Sequence, residues 1–224
     1  MDRSETGLTA RARIFHRPFD TASDSLGIET EAYSVLCSQQ LCGLGFGGYP
    51  PSITKARGGN LYIHHCSETS VYHFYRSNDG GTTWTLRSTI PGGGILGSSA
   101  LVPGNEADNQ DIYAIVSGPG ASSSLRLWTY DNSADSWSEQ VLNAGPAAGD
   151  QIRAEAAVRH SDNHVLVAAL VAVDATHWSL KIWDVTNGTT FTAKTNVFTN
   201  ETNHNDTIQS PVAILVDRFT NDIY

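Results

Sequence analysis

The stretch that decides the fold is Ser77-Asn78-Asp79-Gly80-Gly81-Thr82-Thr83-Trp84. A run rich in aromatic and β-branched residues lies on either side of it, so it predicts a tight turn between two antiparallel strands. Asp79 is placed to accept hydrogen bonds from backbone N–H groups in the turn, and the two glycines tolerate positive φ. Ser77 and Thr83 offer hydroxyls to the same network, and Trp84 closes the turn on its apolar side.

This pattern, S-x-D-x-G-x-T-W, resembles the Asp-box (BNR repeat) of sialidases and related β-propellers. Its positions are filled here by Ser77, Asp79, Gly81, Thr83 and Trp84. In that family the box joins the third and fourth strands of a blade, on the outer rim and away from the active site. The resemblance therefore implies a fold and a structural role for the five residues, and it implies no catalytic role for them.

The aromatic residue that closes the turn recurs along the chain. Trp84, Trp137 and Phe191 are separated by 53 and 54 residues. Three strand-like segments precede each aromatic residue, which predicts a repeated four-stranded unit. The predicted first strands are 52–56, 98–102 and 155–159, the second strands 61–64, 111–116 and 164–170, and the third strands 71–76, 125–130 and 179–184.

Four-stranded units of this length, each ending in an aromatic residue after a turn, are typical of propeller blades. The expected fold is therefore all-β: a β-propeller with three full blades of about 53 residues and part of a fourth. The box weakens along the repeats. Asn132 takes the place of Asp79 in the second copy, and the third copy keeps Gly188 and Thr190.

A glycine- and proline-rich joint at 43–51 separates two predicted parts. Residues 1–48 form an N-terminal arm or anchor, in which 11–17 is an arm or strand and 29–41 is a helix or a strand pair. Residues 49–224 form the blades. The fourth unit has a first strand at 211–216 and stops at Tyr224 within the next strand. We favour part of a larger propeller, with a four-bladed ring completed by 1–48 as the alternative.

The resemblance also implies where an active site would lie. Sialidases hold the carboxylate of their substrate with three arginines, and the first precedes the first strand of the opening blade. Tyr49 stands at that place here. We therefore assign no catalytic residue and keep four weak ligand-site candidates. They are Arg57 in the following turn, Glu68 after the second strand, and Arg153 and Glu155, which would face a central channel.

Metal and disulfide chemistry find little support in the sequence. His64 and His65 are adjacent and face opposite sides of a strand, so with His73 they do not converge on an ion. We expect no metal and no cofactor. The three cysteines, an odd number, favour reduced thiols, with a Cys37–Cys42 bridge as the alternative. The N-x-S/T sequons are Asn187, Asn200 and Asn205.

Charge and hydropathy narrow the functional class. The net charge is −9, and without a basic cluster nucleic acid is excluded as an expected partner. No apolar run reaches transmembrane length, and no signal peptide is visible. We expect an extracellular or virion protein that contacts a glycan or protein surface and assembles with other chains. The leading hypothesis is a non-catalytic binding or display propeller. The alternatives are a sialidase-like exo-glycosidase completed beyond Tyr224 and a purely structural assembly protein.

Overall fold

The computed structural model describes residues 9–17, 19–20, 22–38, 52–66, 72–90, 99–117, 124–143, 153–172, 177–194, 197–202 and 212–224. Every regular element among these residues is a β-strand. No helix in the described part of the chain is long and apolar enough to cross a membrane.

The N-terminal part forms a β-ribbon. Strands β1 (Thr9–His16) and β4 (Thr30–Ser38) pair antiparallel, and the short strands β2 (Phe19–Asp20) and β3 (Ser25–Leu26) pair between them. The segment 11–17 is thus mostly strand. For 29–41, the helical alternative is wrong over 30–38, because these residues pair with β1 along their whole length.

Three antiparallel sheets follow in sequence order, each laid out as a meander. Sheet 1 contains β5 (Ser52–Lys55), β6 (Leu61–Cys66), β7 (Tyr72–Ser77) and β8 (Thr85–Ile90). Sheet 2 contains β9 (Ser99–Pro103), β10 (Ile112–Ser117), β11 (Leu125–Asp131) and β12 (Ser136–Asn143). Sheet 3 contains β13 (Arg153–Val158), β14 (Val165–Ala172), β15 (His177–Asn187) and β16 (Thr190–Ala193), and β17 (Phe198–Thr202) also pairs with β15.

The predicted repeat is confirmed in its main elements, with shifts at the first strands. The strand predicted at 155–159 begins earlier, at Arg153, because Arg153 and Ala154 pair with the end of β14. The segment predicted as a strand at 211–216 is not a regular strand over the described 212–216, but its end pairs as predicted with the start of the next strand, because Leu215 and Tyr224 exchange backbone hydrogen bonds. Among residues 212–224 the structure has one isolated bridge, between Val216 and Ile223.

The first strands of the sheets lie innermost, since β5 packs against β9 and β9 against β13. One apolar cluster fills the space between sheets 1 and 2 and includes Tyr62, Phe74, Ile112 and Tyr130. A second cluster fills the space between sheets 2 and 3 and includes Tyr113, Leu127, Val167 and Trp183. Each sheet therefore buries side chains against its neighbour, which fixes the inner strands side by side.

The two ends of the sheets differ in their connections. At one end, here called the turn end, lie the turns from first to second strand and from third to fourth strand. Hydrogen bonds between these turns cross from sheet to sheet. At the opposite end, here called the loop end, the second strands connect to the third strands and one sheet connects to the next. Those connections, at 67–71, 91–98, 118–123, 144–152 and 173–176, lie outside the described residues.

Candidate functional site

The turn at Ser77–Trp84 has the predicted capping network. Asp79 Oδ1 accepts hydrogen bonds from Thr83 N at 2.9 Å and from Ser77 Oγ at 2.7 Å, and Asp79 Oδ2 accepts one from Thr83 Oγ1 at 2.6 Å. Gly80 and Gly81 have positive φ. Trp84 Nε1 donates to Gly81 O at 3.1 Å. The carboxylate is exposed. Hydrogen bonds from these local donors stabilise its charged form and lower the pKa of Asp79 to about 2.

The later copies of this turn are capped by different residues. The strand register places Asn132 and Asn187 at the position of Asp79. Asn187 does cap its turn, because its Oδ1 accepts from Thr189 N and Thr190 N. In sheet 2 the cap is instead Asp131, whose Oδ1 accepts from Ser133 N and Ala134 N. Asn132 turns towards sheet 1, a difference that the sequence pattern did not predict.

The repeat aromatics lie between the sheets. Trp137 packs edge-on against Phe74, with ring centroids 4.9 Å apart, and its Nε1 donates to Ser88 O in sheet 1 at 2.8 Å. Phe191 packs against the cluster between sheets 2 and 3. These side chains tie neighbouring sheets together.

Of the four ligand-site candidates, Arg57 lies at the turn end. Its Nε donates to Gly104 O at 2.8 Å and its Nη2 to Glu106 O at 2.7 Å, so the guanidinium joins sheet 1 to the first turn of sheet 2. Glu68 lies outside the described residues. Arg153 begins β13, and its side chain is likewise outside them.

Glu155 lies on β13, the innermost strand of sheet 3. Its neighbours Ala154 and Ala156 pack towards sheet 2, so Glu155 belongs to the other face of the strand. The side chain is exposed, and partial desolvation by surrounding atoms raises the pKa of its carboxyl. An accessible carboxyl that holds its proton more tightly than usual can donate a hydrogen bond or a proton to a bound sugar.

The histidines and cysteines do not form a site among the described residues. His64 is buried in sheet 1 opposite Ser52 and Phe74, and burial lowers the pKa of His73. No group of three possible metal ligands occurs in the described part of the chain. The side chains of His65, Cys37 and Cys66, and all of Cys42 and Tyr49, lie outside it.

Two ionisable clusters at the turn end were missed by sequence reasoning. In sheet 3, the buried Asp184 carboxylate contacts the side-chain nitrogens of Arg159, His164 and Lys194. In sheet 2, Glu106 accepts from Tyr113 OH and from Gly188 N of sheet 3, and Asp111 is buried nearby. These groups are far apart in sequence, and the only signal was polar residues next to predicted second strands.

No protein-family model matches the chain, and no curated protein matches it. Among solved structures, the chain is similar to an α-L-arabinanase from Penicillium chrysogenum complexed with arabinobiose. The identity is 14%, the TM-score is 0.52, and the match covers 66% of this chain and 48% of that chain. It is also similar to an α-L-arabinofuranosidase from Fusarium graminearum in complex with an iminosugar inhibitor. Two structures of that enzyme match at 14% and 12% identity, with TM-scores of 0.50 and 0.51.

The match to those two structures covers 64% and 85% of this chain but only 46% and 54% of theirs, so the chain spans about half the length of these neighbours. At such low identity the likeness concerns the fold alone. The four-stranded antiparallel sheets and these neighbours together support a β-propeller fold. The resemblance to the Asp-box propellers of sialidases stays a prediction.

Proposed function

We propose that this chain is the glycan-recognising part of a β-propeller and that sugar binds at the inner strands. Support comes first from the fold, because the similar structures are glycosidases, one holding arabinobiose and another an iminosugar inhibitor. The observation that carries the proposal to this chain is Glu155, an exposed carboxyl with a raised pKa on the innermost strand of sheet 3. Carboxyl groups are common partners for sugar hydroxyls because they form charge-assisted hydrogen bonds.

The turn end is a poor alternative location for the glycan. Its polar side chains already form hydrogen bonds. Arg57 donates to sheet 2, Asp79 accepts within its own turn, and Glu106 accepts from sheet 3. Binding there would break bonds that hold the sheets together. Glu155, by contrast, lies on an inner strand and holds no sheets together in the described part of the chain. Its carboxyl is exposed.

The test is a binding measurement on the purified chain. Arabinobiose, longer neutral arabino-oligosaccharides and a sialoside are titrated by calorimetry against the wild type, Glu155→Gln and the control Asp222→Asn, whose exposed carboxylate lies at the turn end. We expect one sugar class to bind, about tenfold weaker binding in Glu155→Gln, which corresponds to about 1.4 kcal/mol, and no change in Asp222→Asn. Equal affinity in all three proteins would exclude Glu155 from the site.

A second candidate function, glycoside hydrolysis, is favoured by the raised pKa of Glu155. Hydrolysis needs one carboxyl to protonate the glycosidic oxygen and a second group to activate water or to attack the anomeric carbon. Glu155 suits the first role, and the described inner strands offer no second carboxyl beside it. Turnover of a 4-nitrophenyl α-L-arabinofuranoside or a fluorogenic sialoside by the wild type, lost in Glu155→Gln, would establish the enzyme. Sugar binding without turnover would favour the non-catalytic function.

A further inference from the structure

We propose that the junction between sheets 1 and 2 is a proton-sensitive clamp, in which protonation of the buried Asp111 carboxyl stabilises the folded protein. The clamp consists of Asp111, Asn132, Tyr62 and Arg76. Its members come from both sheets and meet at the turn end. This property is independent of glycan binding.

The first half of the clamp is the Asp111 carboxyl. Asp111 is 6% exposed, and its Oδ1 accepts a hydrogen bond from the backbone N of Asn132 at 2.8 Å. The backbone of Asp111 also closes its own loop, because its N donates to Asp108 O at 3.1 Å and its carbonyl accepts from Gly104 N at 3.0 Å. Asp111 therefore connects the 104–111 loop to the Asn132 turn.

The second half is the Asn132 side chain, which reaches sheet 1. Its Oδ1 accepts from Arg76 Nη1 at 2.6 Å and from Tyr62 OH at 3.1 Å. Tyr62 OH also lies 2.8 Å from Gln110 O, next to Asp111 in sequence. Asn132 thus binds the Asp111 carboxyl through its backbone N–H and binds two residues of sheet 1 through its side chain.

The surroundings make the charged form of Asp111 unfavourable. Burial is the main cause, and the carboxylates of Asp108 and Glu106 in the same loop and of Asp131 on β11 add repulsion. From sheet 1, the neutral Tyr62 lies near the group, and the Arg76 guanidinium donates to Asn132. The hydrogen bond from Asn132 N favours the charged form, but burial and the neighbouring carboxylates outweigh it. The pKa of Asp111 therefore rises to about 6.

The sign of the pH dependence follows from this shift. In the unfolded chain an aspartate titrates near pH ~4. Between about pH 4 and pH 6 the folded protein therefore binds more protons at Asp111 than the unfolded chain does, and its stability falls as pH rises through this window. The folded protein is therefore more stable in acid, where Asp111 is neutral, and less stable near neutral pH, where a buried charge faces three other carboxylates.

The test compares melting temperatures between pH 4.5 and pH 7.5 in the wild type and in Asp111→Asn. Asparagine keeps the shape and the acceptor oxygen but has no charge. We expect the wild-type Tm to fall with rising pH, and Asp111→Asn to lose most of that slope and to exceed the wild type by about 2–6 °C at pH 7.5. A wild-type slope that persists unchanged in Asp111→Asn would overturn the proposal.

Two controls separate Asp111 from other carboxyls. Glu155→Gln removes the other carboxyl with a described raised pKa, and we expect it to leave the Asp111-dependent slope in place. Asp131→Asn changes a carboxyl in the same cluster whose pKa is lowered by its turn bonds, so it should lower Tm but retain most of the slope. If the slope vanished in Glu155→Gln instead, the effect would belong to Glu155.

A direct titration settles the case even if Asp111→Asn fails to fold. The ¹³C chemical shift of the Asp111 carboxyl is followed in the wild type by NMR, and we expect a midpoint near pH 6. The unfolding free energy of the wild type, measured by urea denaturation, should then fall as pH rises through that midpoint. A midpoint below pH 5, or an unfolding free energy that does not change through the transition, would contradict the clamp.

Discussion

The guanidinium of Arg76 donates a 2.6 Å hydrogen bond to the side-chain oxygen of Asn132. This bond joins the third strand of sheet 1 to the last turn of sheet 2, and Asn132 occupies there the register position that Asp79 has in sheet 1. The same position caps its own turn in one repeat and binds the neighbouring sheet in the next. The repeated turn has therefore acquired a role in holding the sheets together.

Loss of the Asn132 side chain is expected to weaken this junction. Asn132→Ala removes the acceptor for Arg76 and Tyr62 and leaves the guanidinium without that partner, so we expect a loss of about 1.5–3 kcal/mol in unfolding free energy. Urea denaturation measures it. The control is Asn78→Ala in the exposed turn of sheet 1, which should cost clearly less. Equal losses would show that the bond across the junction contributes little.

The Asp79 cap is expected to stabilise sheet 1 in a pH-dependent way. Asp79→Asn removes one of the acceptors for Thr83 and Ser77 and should lower Tm at neutral pH. The folded pKa of about 2 lies below the unfolded value, so this stabilisation is complete above about pH 4 and is lost as pH falls towards 2. Thermal melts at pH 7 and pH 2.5 check it. Asp24→Asn, on the exposed ribbon, serves as control, and a Tm gap for Asp79→Asn that widens in acid would contradict this account.

Gly188 is required by close packing between sheets 2 and 3. A Cβ at this position would overlap the Thr129 hydroxyl and lie 2.9 Å from Glu106 Oε1. We expect Gly188→Ala to cost about 1–3 kcal/mol in unfolding free energy. Thr129 Oγ1 is buried and has no hydrogen-bond partner among the described residues, so adding Thr129→Ala should recover part of the loss. If the double variant is the sum of the two single variants, measured by urea denaturation, the overlap is not the cause.

The buried carboxylate of Asp184 should be the most sensitive group of sheet 3. Burial opposes its charge, but His164 Nδ1 at 2.7 Å, Lys194 Nζ at 3.2 Å and Arg159 Nη2 at 3.0 Å outweigh burial and lower the pKa of Asp184. Asp184→Asn removes the counter-charge of Lys194 and one of the two carboxylate partners of Arg159, and we expect a loss of about 2–3 kcal/mol.

Asp162→Asn provides the graded comparison for this cluster, because Asp162 contacts the same Arg159 from a more exposed position and should cost less. The stabilisation by Asp184 is present above about pH 4 and fades as pH falls through its lowered pKa. Denaturation of both variants at pH 7 and pH 3 tests the order. A larger loss in Asp162→Asn would mean that burial of Asp184 is not decisive.

Local sequence patterns determined a large share of this fold. Alternating β-rich runs and turn residues predicted the four strands of each sheet, and the spacing of Trp84, Trp137 and Phe191 matches the observed register. Such features are local, since a turn and its two strands are encoded by neighbouring residues. The same reasoning placed the Asp79 network correctly, because its donors and acceptors lie within eight consecutive residues.

Tertiary structure alone decided the contacts between repeats. Arg57 binds sheet 2, and Asn132 leaves its own turn to Asp131 and binds Arg76 and Tyr62. These contacts join residues 49, 56 and 70 positions apart. A carboxyl's pKa reflects burial and charge in three dimensions, and neither can be read from the residues beside it in the chain. The turn at Ser77–Trp84 is thus a property of the sequence, whereas the clamp at Asp111 exists only where two folded sheets meet.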